Sequence, residues 1–139
     1  MTNNHQYRSI CHASVGTNKL AAATVFYQTV LSTLGIELFC QYQHAAAFGK
    51  GYPEFWVQVP FDQQTATVGN GVHFGFVASS KQQVDAFYQT ALRMGATDAG
   101  QPGARVDYGA PYYGCFVRDL DGHKIEASFW DFNMSNMHK

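Results

Sequence analysis

The chain has 139 residues, room for one domain of ordinary size and not for two. Charged residues make up 14% and aromatic residues 15%, with 11 Phe, 8 Tyr and 2 Trp, which excludes a disordered or low-complexity chain. The formal net charge of −1 is too balanced for a phosphate-backbone binder, so no nucleic-acid partner is expected. No apolar run nears the roughly 20 residues of a membrane span, and Met1 to Arg8 lack the pattern of a secretory signal, so a cytoplasmic protein without a membrane partner is expected. The 3 Cys, at 11, 40 and 115, form no Cys-x-x-Cys pair and read as small buried hydrophobes, with neither disulfides nor a zinc ribbon.

The sequence contains itself twice. Phe26-Tyr27-Gln28-Thr29 returns as Phe87-Tyr88-Gln89-Thr90, and the same offset carries His12 onto His73. A one-residue deletion then brings Gly35 onto Gly95. The single domain, 1–139, therefore divides into modules 9–60 and 71–131 joined by a polar linker, 61–70.

Taken in chain order, Ser9 to Val15 is strand-like, and Asn18 is positioned to cap a helix running to about Leu34. Leu20, Ala23, Tyr27, Val30, Leu31 and Leu34 form its apolar stripe, with Gly35 at the C′ position. Short strands follow at Ile36–Tyr42, Ala45–Phe48 and Glu54–Val59. The second module repeats the order: a strand at Gly71–Val77, then a helix opened by Ser80 and Gln83 as a capping box and ended by Gly95. A weak strand near Arg105–Tyr108 precedes strands at Tyr112–Arg118 and Lys124–Trp130, the last two joined by a tight Asp121-Gly122 turn. Each module thus reads βαβββ, an α+β fold. Ala99 to Pro111 reads as a flexible loop, either a binding lid or a plain surface excursion.

Strand alternation sorts the chemistry. Cys11, Ala13 and Val15, then Val72, Phe74 and Phe76, then Ile125, Ala127 and Phe129 form apolar faces suited to the helices. His12, His73 and Glu126 all fall on the opposite faces. Two imidazoles and a carboxylate are a competent ligand set for a divalent ion, which asks for donors at about 2.0 to 2.2 Å. Satisfied structural histidines are the competing reading. His5, His44, His123 and His138 read as surface or turn residues.

The paired βαβββ order, a His in the first strand of each module, and Asp119-Leu120-Asp121-Gly122-His123-Lys124-Ile125-Glu126 together resemble the vicinal oxygen chelate superfamily, from about Ser9 to Asp131. This superfamily groups glyoxalase, bleomycin-resistance and extradiol dioxygenase proteins. The resemblance implies two modules curling their sheets into a cup, with His12, His73 and Glu126 at three metal positions for Zn, Ni, Fe or Mn. It also implies a homodimer built by pairing modules. Leu120 replaces the family's usual Pro. The fourth position, a Glu in glyoxalase I-like members, falls in Glu54-Phe55-Trp56-Val57-Gln58-Val59, where Gln58 and Trp56 are the candidates and Glu54 ranks third.

Two functions follow. One is a metal-dependent lyase, isomerase or dioxygenase acting on a small molecule with vicinal oxygens. The other is a non-catalytic pocket that sequesters an aromatic ligand, for which Phe48, Phe55, Trp56, Tyr108, Tyr112 and Tyr113 speak. Arg105, with Tyr108, Tyr112 or Tyr113, is expected to line the substrate pocket; the alternative pairs Arg105 with Asp107 or Asp98.

Overall fold

A computed structural model describes residues 9–131, so His5 and His138 lie outside the described residues. The first module comprises β1 (Ala13–Gly16), α1 (Leu20–Ser32), β2 (Glu37–Gln41), β3 (Ala45–Gly49) and β4 (Phe55–Gln58). The second comprises β5 (His73–Val77), α2 (Lys81–Arg93), β6 (Thr97–Gly103), β7 (Tyr112–Arg118) and β8 (Lys124–Trp130). Each forms a four-stranded sheet, ordered β1-β4-β3-β2 and β5-β8-β7-β6. In both sheets the first and last strands pair in parallel while the other pairings are antiparallel. No helix among the described residues is long and apolar enough to cross a membrane.

The apolar stripes do what their spacing demands. On α1, Ala23, Tyr27, Val30 and Leu31 are buried, with Leu34 just beyond; on α2, Val84, Phe87 and Ala91 are buried while Leu92 is exposed. These side chains meet Val15, Val57, Val117, Ile125 and Ala127 in one contiguous core spanning both modules. Phe55 of β4 touches Phe74 and Phe76 of β5 at ring-centroid distances of 5.9 and 5.1 Å, which ties one module's core to the other's.

Four local expectations are corrected. The N-cap position of helix α1 is Lys19, not Asn18, and no side chain caps it, because Thr17 and Asn18 are committed elsewhere. The Thr17 hydroxyl accepts from the Lys19 amide and donates to Asp121, while the Asn18 amide group exchanges hydrogen bonds with Ala66 in the linker. By contrast Ser80 caps α2 as expected, accepting from the Gln83 amide at 3.1 Å, although Gln83 reaches back to the amide of Ser79.

The strand expected at Arg105–Tyr108 is a 3₁₀ turn, Val106–Tyr108, and the true strand is β6, which takes up the first part of the expected loop. Pro102 is tolerated there because β6 is an edge strand, and register shifts interrupt its pairing with β7. Gly100 is needed for space: a Cβ there would lie 3.1 Å from the Phe116 ring and 3.2 Å from the Arg105 guanidinium. The β7–β8 connection spans residues 119–123, longer than a two-residue turn. Asp119 holds it together by accepting from the amides of Asp121 and His123, and Gly122 supplies a φ of 98°. Finally, Cys115 is buried as expected, but Cys11 is exposed and Cys40 only half-buried; all three are free thiols.

Candidate functional site

The face of the second sheet turned away from the core is laid out by strand register. His73, Lys124 and Arg118 form one lateral row across β5, β8 and β7. Gly75, Glu126 and Phe116 form the next, and Trp130 lies opposite Tyr112 farther along. His73 and Glu126 therefore meet, with Nε2 and Oε1 3.3 Å apart; the His73 side chain is 46% exposed and that of Glu126 12%. The other carboxylate oxygen of Glu126 accepts from the Tyr112 hydroxyl at 2.6 Å.

Two glycines make this arrangement possible. A Cβ on Gly75 would stand 3.0 Å from Glu126 Oε1, and one on Gly114 would fall 2.1 Å from the Tyr112 hydroxyl oxygen. Burial, then the hydrogen bond to Glu126, pushes the Tyr112 phenol far above its ordinary range, so it stays a donor.

Tyr108 packs edge-on to Tyr112 at 4.8 Å. Arg105 reaches the same face, its guanidinium carbon 5.9 Å from the Phe116 ring centroid, but its N–H groups are turned onto the carbonyls of Gln101 and Ala104. Asp98 takes the Tyr88 hydroxyl and the Gly100 amide instead of Arg105. Tyr113 has the opposite parity to Tyr112 and faces α2, where its hydroxyl donates to Asp85 at 2.7 Å, so it does not line this face. Phe48 and Phe55 belong to the core.

The corresponding face of the first sheet carries His12 just before β1. Its ring lies 6.5 Å from Trp56, which stacks on Tyr42 at 6.2 Å with an interplanar angle of 8°. His12 Nδ1 is 3.5 Å from Cys11 Sγ, which in turn is 2.7 Å from the Tyr52 hydroxyl. Register settles which residue matches Glu126. Gly75 pairs with Glu126, its repeat counterpart Ser14 pairs with Trp56, and Gln58 lies two pairs farther along, opposite Gly16. No group of three His, Cys, Asp or Glu side chains among the described residues could hold a metal ion.

Alternation puts His12, His73 and Glu126 on like faces of their strands, and of these the structure shows His73 in contact with Glu126. Alternation puts Lys124 on the face of Glu126 as well, while Arg118, Phe116 and Tyr42 are not among the expected site residues, although Arg118 and Phe116 share the even parity of Tyr112 on β7. His44 is an exposed turn residue, as expected. His123 sits in its turn yet is only 9% exposed, its Nε2 lying 2.6 Å from the carbonyl oxygen of Gly16. Asp121 accepts from the Thr17 hydroxyl and the Asn18 amide, and Lys19 donates to the Leu120 carbonyl. The Asp119–His123 segment is thus a clasp between modules.

Solved structures share this architecture. A glyoxalase/bleomycin resistance protein from Albidiferax ferrireducens T118 superposes with a TM-score of 0.80 at 34% identity, over 87% of this chain and 98% of that one. The lactoylglutathione lyase of Agrobacterium tumefaciens superposes with a TM-score of 0.62 at 20% identity, covering 86% of this chain and 92% of the other. For a glyoxalase/bleomycin resistance protein/dioxygenase family enzyme from Burkholderia phytofirmans PsJN the TM-score is 0.66 at 16% identity, over 85% and 95%. No match is found among curated proteins. The sequence profile of one family covers residues 9–127, and with the paired βαβββ modules this establishes that the chain belongs to the Glyoxalase/Bleomycin resistance protein/Dioxygenase superfamily.

Proposed function

We propose that the protein binds a small planar molecule bearing neighbouring oxygens, held against aromatic rings on the outer sheet faces and oriented by His73 and Glu126. The observation that carries this reading is Trp56: at the register of Glu126 the first module presents an indole stacked on Tyr42. An indole nitrogen is a donor only and cannot bind a cation through a lone pair, whereas its face accepts a planar ligand. Non-catalytic sequestration is accordingly the function best supported.

Metal-dependent lyase, isomerase or dioxygenase chemistry is the second reading, favoured by the His73–Glu126 contact and the exposure of the His73 ring. A catalytic ion usually takes about three protein ligands, and one chain brings together two. His12 fits as the third if a second copy sets its first module against this face. A homodimer is therefore part of the proposal, and the exposed Tyr42, Val72, Val77 and Trp130 give such a contact apolar surface. Such an ion, when bound, would polarise a carbonyl or bind vicinal oxygens. Tyr112 would hold the Glu126 carboxylate in place for it, and Arg105 would have to leave its loop carbonyls to reach a ligand.

Calorimetric titration with catechol, a planar molecule with adjacent oxygens, tests the reading. Wild-type protein is expected to bind it, and Trp56→Ala to weaken binding about tenfold, the scale of a lost stacking contact. Equal affinity in the variant refutes the aromatic site. Metal analysis of natively purified protein and of His73→Ala separates the second reading: stoichiometric Zn, Ni, Fe or Mn lost in the variant supports it. Sedimentation at micromolar concentration showing only monomer would remove the dimer.

A further inference from the structure

We propose that the row His73–Lys124–Arg118 is an anion-binding subsite that takes a carboxylate or phosphate group of the ligand. The inference rests on the small-molecule reading above and names the ligand's charge. Lys124 and Arg118 face each other directly across antiparallel strands, and His73 flanks Lys124 on the other side. Like charges so placed are destabilising unless an anion lies between or near them.

The nearby acids do not fill that role. Glu126, one row away, is already engaged at both oxygens by Tyr112 and His73, and Asp119 is buried against Tyr27. The Arg118 guanidinium donates to the Gly122 carbonyl at 3.0 Å, which leaves most of its fork uncommitted.

The row also opens onto a cavity. A pocket of about 430 Å³ is lined by His73, Arg118 and Lys124 on one side and by residues 68–72 on the other, with no carboxylate among its walls. That volume lies within the usual range of small-molecule sites. The row is braced from beneath by buried Phe116: Lys124 Nζ stands 4.8 Å from its ring centroid, and the His73 ring lies 5.9 Å from it. A planar acid could therefore lie in the pocket while its charged group meets Lys124 and Arg118, whose guanidinium fork suits both carboxylate and phosphate oxygens.

The test compares benzoate and phenyl phosphate with neutral benzamide by calorimetry on the full chain, wild type and Lys124→Gln and Arg118→Gln variants. Both anions are expected to bind more tightly than benzamide, and each substitution to weaken the anions about tenfold while leaving benzamide unchanged. The tighter of the two anions identifies the group the subsite takes. Urea unfolding supplies a second readout: without anion, Lys124→Gln is expected to be at least as stable as wild type, since a like-charge contact is removed, and inorganic phosphate to stabilise wild type more than the variant. Anions that bind no better than benzamide, or variants that retain wild-type anion affinity, overturn the subsite. Failure of benzamide and catechol to bind at all, with phosphate still stabilising wild type through Lys124, would instead overturn the aromatic reading and leave the subsite standing.

Discussion

Tyr27 of helix α1 donates its buried hydroxyl to Asp119, which opens the β7–β8 turn of the other module. Neither residue has appreciable exposure, 1% for Tyr27 and 7% for Asp119. This bond is the innermost of the clasp that also includes Thr17 to Asp121 and His123 to Gly16. Removing the hydroxyl leaves a buried carboxylate short of a donor. Tyr27→Phe is therefore expected to lower stability by about 1 to 3 kcal/mol, the cost of stranding such a group. Urea denaturation measures it, and a loss below a few tenths of a kcal/mol would show that the clasp does not couple the modules.

Alkaline pH should act on the same region. Burial, reinforced by Asp119, raises the Tyr27 phenol well above its ordinary value, and burial pushes the Cys115 thiol from 9.0 up to about 12. Between the unfolded and folded values the native state holds the proton and the unfolded chain does not. Stability contributed by Cys115 is thus complete below pH 9 and declines as pH rises toward 12; that of Tyr27 begins to decline near pH 10. Unfolding free energy measured against pH should fall by up to about 1.4 kcal/mol per pH unit for each group. Tyr27→Phe should flatten the part above pH 10, and a wild-type profile level to pH 11 would contradict the burial of both groups.

Gly114→Ala tests how the site is packed. The new methyl would lie 2.1 Å from the Tyr112 hydroxyl oxygen and 3.0 Å from the Ala127 carbonyl oxygen, so the Tyr112 ring must leave Glu126. The expected loss is about 1 to 3 kcal/mol in urea unfolding, from overpacking in a close-packed strand pair. Ligand affinity should fall with it, because Glu126 loses the donor that orients it. A variant as stable as wild type, binding catechol equally, would mean that Tyr112 does not position Glu126.

What could be read from the amino-acid order was what neighbours within a few residues decide. The helical stripes, the Ser80 cap, the two closing strands and the shared parity of His73 and Glu126 depend on periods of 3.6 and 2 and on short-range hydrogen bonds. The repeat supplied the order of elements in each module. Tertiary structure decided everything that depends on a partner distant along the chain. Lys19 displaced Asn18 at the N-cap position of α1 because Thr17 and Asn18 bond to Asp121 and Ala66, some fifty or a hundred positions away. Residues 99–103, rich in Gly and Pro and so expected as loop, belong to strand β6 because β7 offers them an edge. Trp56 rather than Gln58 stands opposite Ser14 because only pairing between β1 and β4 sets that register. Alternation assigns a face of a strand, while the packing of two sheets determines which faces meet.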